Sequence, residues 1–149
     1  MTSTGGQPAR IRPNSPTAGP FVLQAKEDRE AGDERAKALL VSCLALHVLD
    51  GVEALTSGGP DVGNKVEAGV VLAGVDRVAL DAVGVAILRH LGTTAEVRRG
   101  RVFEQEQIAR AVELGLGVAQ PEAITLLADD ADGRAYADQL RMILEADGS

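Results

Sequence analysis

Short runs of consecutive apolar residues alternate along the chain with longer segments in which apolar side chains recur at helical spacing. The short runs are typical of strands buried on both faces. They are LALHVLD at residues 44–50, AGVVLAG at residues 68–74 and AITLLA at residues 123–128. These runs predict a small, largely buried sheet of three strands.

The longer segments predict helices. They begin near Asp33, after Asp76, near Phe103 and at Asp132 or Gly133. The first carries an apolar stripe that consists of Ala36, Leu39, Leu40 and Cys43, as expected for a helix packed on one side. The second is expected to reach about His90 and the third about Leu114. Gly115 stands where a left-handed residue ends many helices.

This order of elements predicts the α/β class, with helices flanking the sheet. Residues 1–20 hold four of the six prolines and no apolar period. Such a segment buries too little surface to offset the entropy of ordering it. We therefore predict a disordered leader over residues 1–25 and a single α/β domain over residues 26–149.

Composition and net charge exclude some classes of binding partner and indicate the cellular compartment. Aromatic residues make up only 2% of the chain, so Val, Leu, Ile and Ala must form the core. A net charge of −7 argues against nucleic acid and against an anionic membrane surface, which both attract basic proteins. No apolar run is long enough to span a bilayer, and the start of the sequence is unlike a secretory signal. We expect a cytoplasmic protein.

The cysteine and the two histidines are weak candidates for catalytic or metal-binding residues. Cys43 is the only cysteine, which excludes an internal disulfide and an iron–sulfur cluster held by this chain alone. His47 lies in an apolar run and His90 near a helix end, and both are read as structural residues. No Ser-His-Asp or Cys-His arrangement suggests a nucleophile. The basic run at residues 98–101 is read as a solvated loop.

Aspartates are the candidate site residues. Asp50, followed by Gly51, stands at the predicted carboxyl end of a strand, which is where ligands bind in open α/β sheets; an Asx turn is the alternative. Asp76 is predicted to cap the following helix. Asp81 lies among aliphatic residues of that helix, where an unpaired carboxylate is costly. Either Asp81 binds a ligand or a metal ion, or it is the centre of a local structural hydrogen-bond network.

A glycine-rich loop follows the Asp-Gly pair. Its backbone N–H groups and one lysine suggest an anion-binding loop, against the alternative of a plain turn; the residues are Gly58, Gly59, Pro60, Gly63 and Lys65. The loop is not a P-loop, because Asn64 stands where that motif requires lysine. A divalent cation such as Mg²⁺, held by Asp50, Asp61 and Asp81, would suit oxygen ligands.

Four segments taken in order resemble one family. They are VLDGVEALTSGGPDVG, AGVVLAGVDRVALDAVGVAIL, ARAVELGLG and PEAITLL, which together span about residues 46–127. They are similar to the C-terminal half of the domain-of-unknown-function family 362. The most specific part is the strand–helix junction from Asp76 to Ala82. Further matching positions are Asp50, Gly51, Gly59, Pro60, Gly69, Gly115, Leu116 and Gly117.

The resemblance implies a modest functional expectation. Some relatives carry ferredoxin-like cysteine clusters, which implies redox or cofactor-related work, although this chain lacks those cysteines. The family's upstream half has no counterpart here, so the domain is expected to be truncated relative to the family.

Two functions follow from the sequence. The first is binding of a divalent metal ion or a small anionic ligand in one cleft bordered by the aspartates and the glycine-rich loop. The second is a non-catalytic domain that self-associates or completes another chain. Whether the domain catalyses a reaction is left open.

Overall fold

The computed structural model describes residues 21–25, 46–59 and 62–146, with the backbone alone for residues 21–25. The strands are β1 (Phe21–Ala25), β2 (His47–Ser57), β3 (Asn64–Gly74) and β4 (Ile124–Leu127). The helices are α1 (Arg77–Leu91), α2 (Ala95–Arg98), α3 (Glu106–Glu113) and α4 (Ala131–Glu145). Short 3-10 turns at Val102–Glu104 and Pro121–Ala123 precede α3 and β4.

The predicted α/β class is confirmed. The strands form one mixed sheet in the order β2-β3-β1-β4. β1 runs parallel to β3, while β2 is antiparallel to β3 and β4 is antiparallel to β1. The sheet has four strands among the described residues rather than three, because Phe21–Ala25 forms β1 inside the segment predicted as leader.

The hairpin of β2 and β3 is longer than predicted. The first strand was expected to end at Asp50, but β2 continues to Ser57 and pairs with β3 down to Ser57 opposite Asn64. Register shifts between Gly51 and Glu53 and between Leu55 and Ser57 absorb the irregular positions. A bulge of this kind lets a strand continue through residues that read as a turn.

Only one end of this hairpin is paired with a further strand. β1 is in register with β3 at Leu72 and Ala73, so the sheet is four-stranded near the carboxyl end of β3. Towards the hairpin tip, β2 and β3 continue as a two-stranded ribbon.

The core lies between one face of the sheet and the helices. Helix α1 packs on β2 and β3, and α4 packs on α1 and β4. The largest fully buried side chains are Leu72, Val83, Val102 and Leu140. They come from the sheet, α1, the first 3-10 turn and α4, so a single aliphatic core joins these elements, as the composition predicts.

Candidate functional site

Asp76 forms the junction between β3 and α1. Its Oδ1 accepts the N–H of Ala79 at 2.9 Å, which confirms the predicted helix cap. Its Oδ2 accepts the N–H of Val118 at 2.8 Å. Both carboxylate oxygens are thus occupied by the backbone, and Asp76 ties the start of α1 to the turn after α3.

That turn contains Gly115, Leu116 and Gly117. Gly115 has φ 65°, and its N–H donates to Val112 while that of Leu116 donates to Ala111. This is a Schellman motif with Gly115 in the predicted C′ position. Gly117 lies against the cap: a Cβ there would lie 2.7 Å from Val78 Cγ2 and would overlap the Asp76 carboxylate.

Asp81 lies on the outer side of α1. It is exposed, whereas Leu80, Ala82 and Val83 beside it are buried. The expectation that this helix surrounds Asp81 with apolar contacts is therefore wrong. Partial desolvation raises the pKa of Asp81, while the positive charges of Arg77 and His47 oppose that rise.

Arg77 and His47 come to Asp81 from different elements. Arg77 lies one helical turn before Asp81, on the same face of α1. His47 opens β2 opposite Gly74, the last residue of β3. It shares a sheet face with Leu49, whose Cδ1 would lie 3.7 Å from a Cβ on Gly84 of α1. His47 therefore faces the helix.

Asp50 lies on the opposite face of the sheet. It stands within β2, opposite Val71, and is exposed. Its Oδ1 accepts the N–H of Val52 at 3.0 Å, which is the local bond of the Asx alternative. Because neighbouring strand residues point to opposite faces, Asp50 points away from α1, and so away from Asp81.

Gly51 packs inside the sheet. It is buried, and a Cβ there would lie 2.8 Å from Val70 Cγ2 and 3.1 Å from the Val70 carbonyl oxygen. The close approach of β3 explains the glycine. Gly51 is therefore a packing position on the covered face.

The glycine-rich loop is the tip of the hairpin. Gly58 has φ 70°, and Gly63 packs directly on the Ser57 carbonyl, where a side chain would overlap. Gly59 is exposed beside Leu55. Lys65 pairs with Glu53 across the ribbon at 3.3 Å. Pro60 and Asp61 lie outside the described residues.

The predicted site residues do not surround one cleft. The hairpin tip and Asp76 lie beyond opposite ends of β3, which separates them by about 30 Å at a rise of about 3.3 Å per residue. Asp50 and Asp81 lie on opposite sides of the sheet. Over the described part of the chain, no group of three or more metal-binding side chains is found.

The two histidines have different surroundings. His90 stacks edge-on against Tyr136 with ring centroids 5.1 Å apart, and burial lowers its pKa. This favours neutral imidazole and supports the structural reading. The partnership of His47 with Asp81 was missed, since it depends on strand register. The partnership of Arg77 with Asp81 follows from their spacing and could have been found.

The fold is that of a small α/β domain, in which His47, Arg77 and Asp81 lie near the carboxyl end of β3. Residues 23–86 match the family model described as Domain of unknown function (DUF362). The match begins in β1 and ends within α1, and it bears out the resemblance seen in the sequence over the residues that the two ranges share, 46–86. No curated protein and no solved structure gives a significant match. Among the described helices, none is long and apolar enough to cross a membrane.

Proposed function

We propose that this chain is a small-ligand-binding domain whose site is the cluster of Asp81, Arg77 and His47. The supporting observation is that Arg77 and Asp81 lie one helical turn apart on α1 and His47 opens β2 opposite Gly74, so that all three residues lie beside the carboxyl end of β3. Ligands of open α/β sheets bind at this edge. The cluster replaces the cleft expected from the sequence.

The chemistry of the cluster favours a small anion carrying a phosphate or carboxylate group. Arg77 keeps its charge at all physiological pH values and can bind such a group through two parallel hydrogen bonds. His47 supplies a further donor, and a second positive charge when protonated. Asp81 accepts a hydrogen bond from a hydroxyl or amine elsewhere on the ligand.

A divalent cation is the less favoured ligand. Mg²⁺ retains several waters and is held by carboxylate or phosphate oxygens. In the described cluster Asp81 is the one carboxylate, and Arg77 beside it would repel a cation. Asp76, the nearest further carboxylate along the chain, uses both oxygens for backbone N–H groups.

Thermal unfolding tests this function with inorganic phosphate as the probe. Phosphate should raise the melting temperature of the native chain, since a ligand at a hundred times its Kd stabilises by about 2.7 kcal/mol. Arg77→Gln should lose the specific part of that shift. Arg141→Gln on α4, where the arginine pairs with Asp138 at 3.2 Å, is the matched control and should keep it.

The control variant matters because phosphate also stabilises proteins through exclusion from their surface. An equal shift in all three proteins would contradict an anion site at Arg77. A parallel series with MgCl₂ separates the metal alternative: a shift present in the native chain and lost in Asp81→Asn would favour the cation instead.

A second candidate function is association with another copy of the chain. It is favoured by the position of β2, an 11-residue strand at the edge of the sheet. Edge strands offer unpaired backbone groups to other strands. Light scattering over a range of concentrations tests it: a dimer that Val52→Lys abolishes supports the candidate, and a monomer throughout contradicts it.

A further inference from the structure

Val52 is the middle residue of the 11-residue strand β2, and it has no partner in β3. Gly51 is opposite Val70 and Glu53 is opposite Glu67, so the register shift falls at Val52. The residue is 50% exposed. Among the described strands, β2 has β3 as its one neighbour and therefore forms an edge of the sheet. Val52 thus lies at the midpoint of an edge that another strand could extend.

The backbone N–H of Val52 is bound by a carboxylate. It donates to Asp50 Oδ1 at 3.0 Å, two positions earlier in the same strand, and Asp50 is exposed. A strand that adds to an edge pairs through backbone N–H and C=O groups. Natural sheets protect their edges with charged side chains and with bulges that interrupt the ladder. Both devices are present at the midpoint of β2.

The charges of β2 fit pairing with the same strand of a second copy in one register. An antiparallel pair with its two-fold axis at Val52 lets all 11 residues pair, and an axis at any other residue pairs fewer. Asp50 would then be opposite Ala54 of the second copy. Glu53 would be opposite Gly51. An axis at Asp50 or at Glu53 would instead place like charges directly opposite each other, which is destabilising. Most homodimers have such a two-fold, self-complementary interface.

We propose that Asp50 limits the pairing of β2 with the β2 strand of a second copy by holding the N–H of Val52. While the carboxylate accepts this N–H, the donor closest to the two-fold axis is occupied in both copies. Pairing requires both carboxylates to release their donors, and each release costs a hydrogen bond to a charged group. This inference rests on the second candidate function, because it concerns the same edge of the sheet.

Analytical ultracentrifugation of the full chain over a range of concentrations tests the proposal. Asp50→Ala should lower the dimer Kd by about tenfold or more, since both occupied donors become free. Asp129→Ala is the matched control, because Asp129 is exposed and its loss changes the net charge equally. A general effect of charge on association would therefore appear in both variants. Adding Val52→Lys to Asp50→Ala should return the protein to the monomer.

Two results would overturn the proposal. Equal association of the two alanine variants, or none in either, would show that the carboxylate of Asp50 does not limit pairing. Association that survives Val52→Lys would place the interface on another surface. A native chain that stays monomeric at every concentration contradicts the second candidate function, whereas the proposal stands if Asp50→Ala then dimerises through β2.

Amide hydrogen exchange at a concentration where the protein is monomeric provides an independent check. The Val52 amide should exchange faster in Asp50→Ala than in the native chain, and Asp129→Ala should leave its exchange unchanged. Asp50→Asn keeps an acceptor oxygen, so it should change exchange and association in the same direction by less, and it serves if Asp50→Ala fails to fold. An unchanged Val52 amide in both Asp50 variants would show that the carboxylate does not hold this donor.

Discussion

The carboxylate of Asp76 accepts the backbone N–H of Val118 at 2.8 Å, across 42 positions of sequence. The same side chain caps α1 through Ala79. Two of the segments that carry the family resemblance are thus joined by one residue. Gly117 lies directly against this carboxylate, which explains in physical terms why residue 117 has no side chain.

Asp76→Ala should therefore destabilise the fold strongly. It removes a helix cap worth about 1 kcal/mol and a hydrogen bond to a charged group worth about 1.5–3 kcal/mol. Asp76→Asn retains one acceptor oxygen and should lose less. Urea unfolding measures both, with exposed Asp129→Asn as the control, and equal stability of Asp76→Ala and the native chain would contradict the double role.

Two glycine substitutions should have opposite signs. Gly117→Ala forces a Cβ to within 2.7 Å of Val78 Cγ2, and overpacking of this kind costs about 1–3 kcal/mol. Gly84→Ala, inside α1, meets only Leu49 Cδ1 at 3.7 Å. It should stabilise by about 0.5–1 kcal/mol through helix propensity. Chemical denaturation of the two variants side by side checks this, and a shared sign would refute the packing described.

Titration of Asp81 should report its surroundings. Its pKa lies above the ordinary value of 3.8 because burial outweighs Arg77 and His47. The native state thus holds this proton to higher pH than the unfolded chain, so ionisation of Asp81 reduces stability as pH rises through that window. Carboxyl NMR should show the raised pKa, and Arg77→Gln should raise it further. A fall in that variant would contradict the opposing role of Arg77.

Tyr136 offers a clean optical probe, because it is the only tyrosine in the chain. Burial raises its pKa to about 12. The unfolded chain releases this proton near the ordinary value of 10, so stability should fall as pH rises above that value. Absorbance titration of the phenolate should give a midpoint near 12 in the native state and near 10 in urea; coincident midpoints would contradict the burial.

His90 should make stability depend on pH in the direction opposite to Tyr136. Its pKa is lowered by burial, so the unfolded chain takes up a proton first as pH falls below the ordinary value of 6.5. Stability should therefore fall with acidification through that window. Imidazole NMR against pH, with His90→Gln for assignment, measures it. A pKa at or above the ordinary value would exclude the buried contact with Tyr136.

Helices and strands were predicted correctly where a local sequence signal, such as a helix cap or the spacing of apolar residues, determines the backbone conformation. The helix after Asp76 was expected to reach about His90 and ends at Leu91, because its cap and apolar residues agree. The last strand and the last helix lie within a few residues of their predicted positions. The predicted helix near Phe103 is a 3-10 turn followed by α3, which begins at Glu106.

The predictions were wrong where pairing with a strand distant in sequence determines the structure. Asp-Gly at residues 50–51 reads as a strand end, yet pairing with β3 carries β2 on through a bulge. β1 pairs with β3 and β4, and these partners are distant in sequence, so local sequence pattern did not predict this strand. The predicted cleft failed because only the packing of α1 on one face of the sheet shows that Asp81 and Asp50 lie on opposite sides of it. The predicted helix from Asp33 lies outside the described residues.

The long ribbon is fastened to the body of the protein near its far end. The Thr93 hydroxyl, just after α1, donates to the Thr56 carbonyl at 3.1 Å in a buried position, and Asn64 bonds Thr56 across the hairpin. Fraying from the tip should therefore stop at this pair. Amide hydrogen exchange would then be fast at Ser57, Gly58, Val62 and Gly63 and slow in the rest of the ribbon. The ribbon would therefore move as one body with the end of α1.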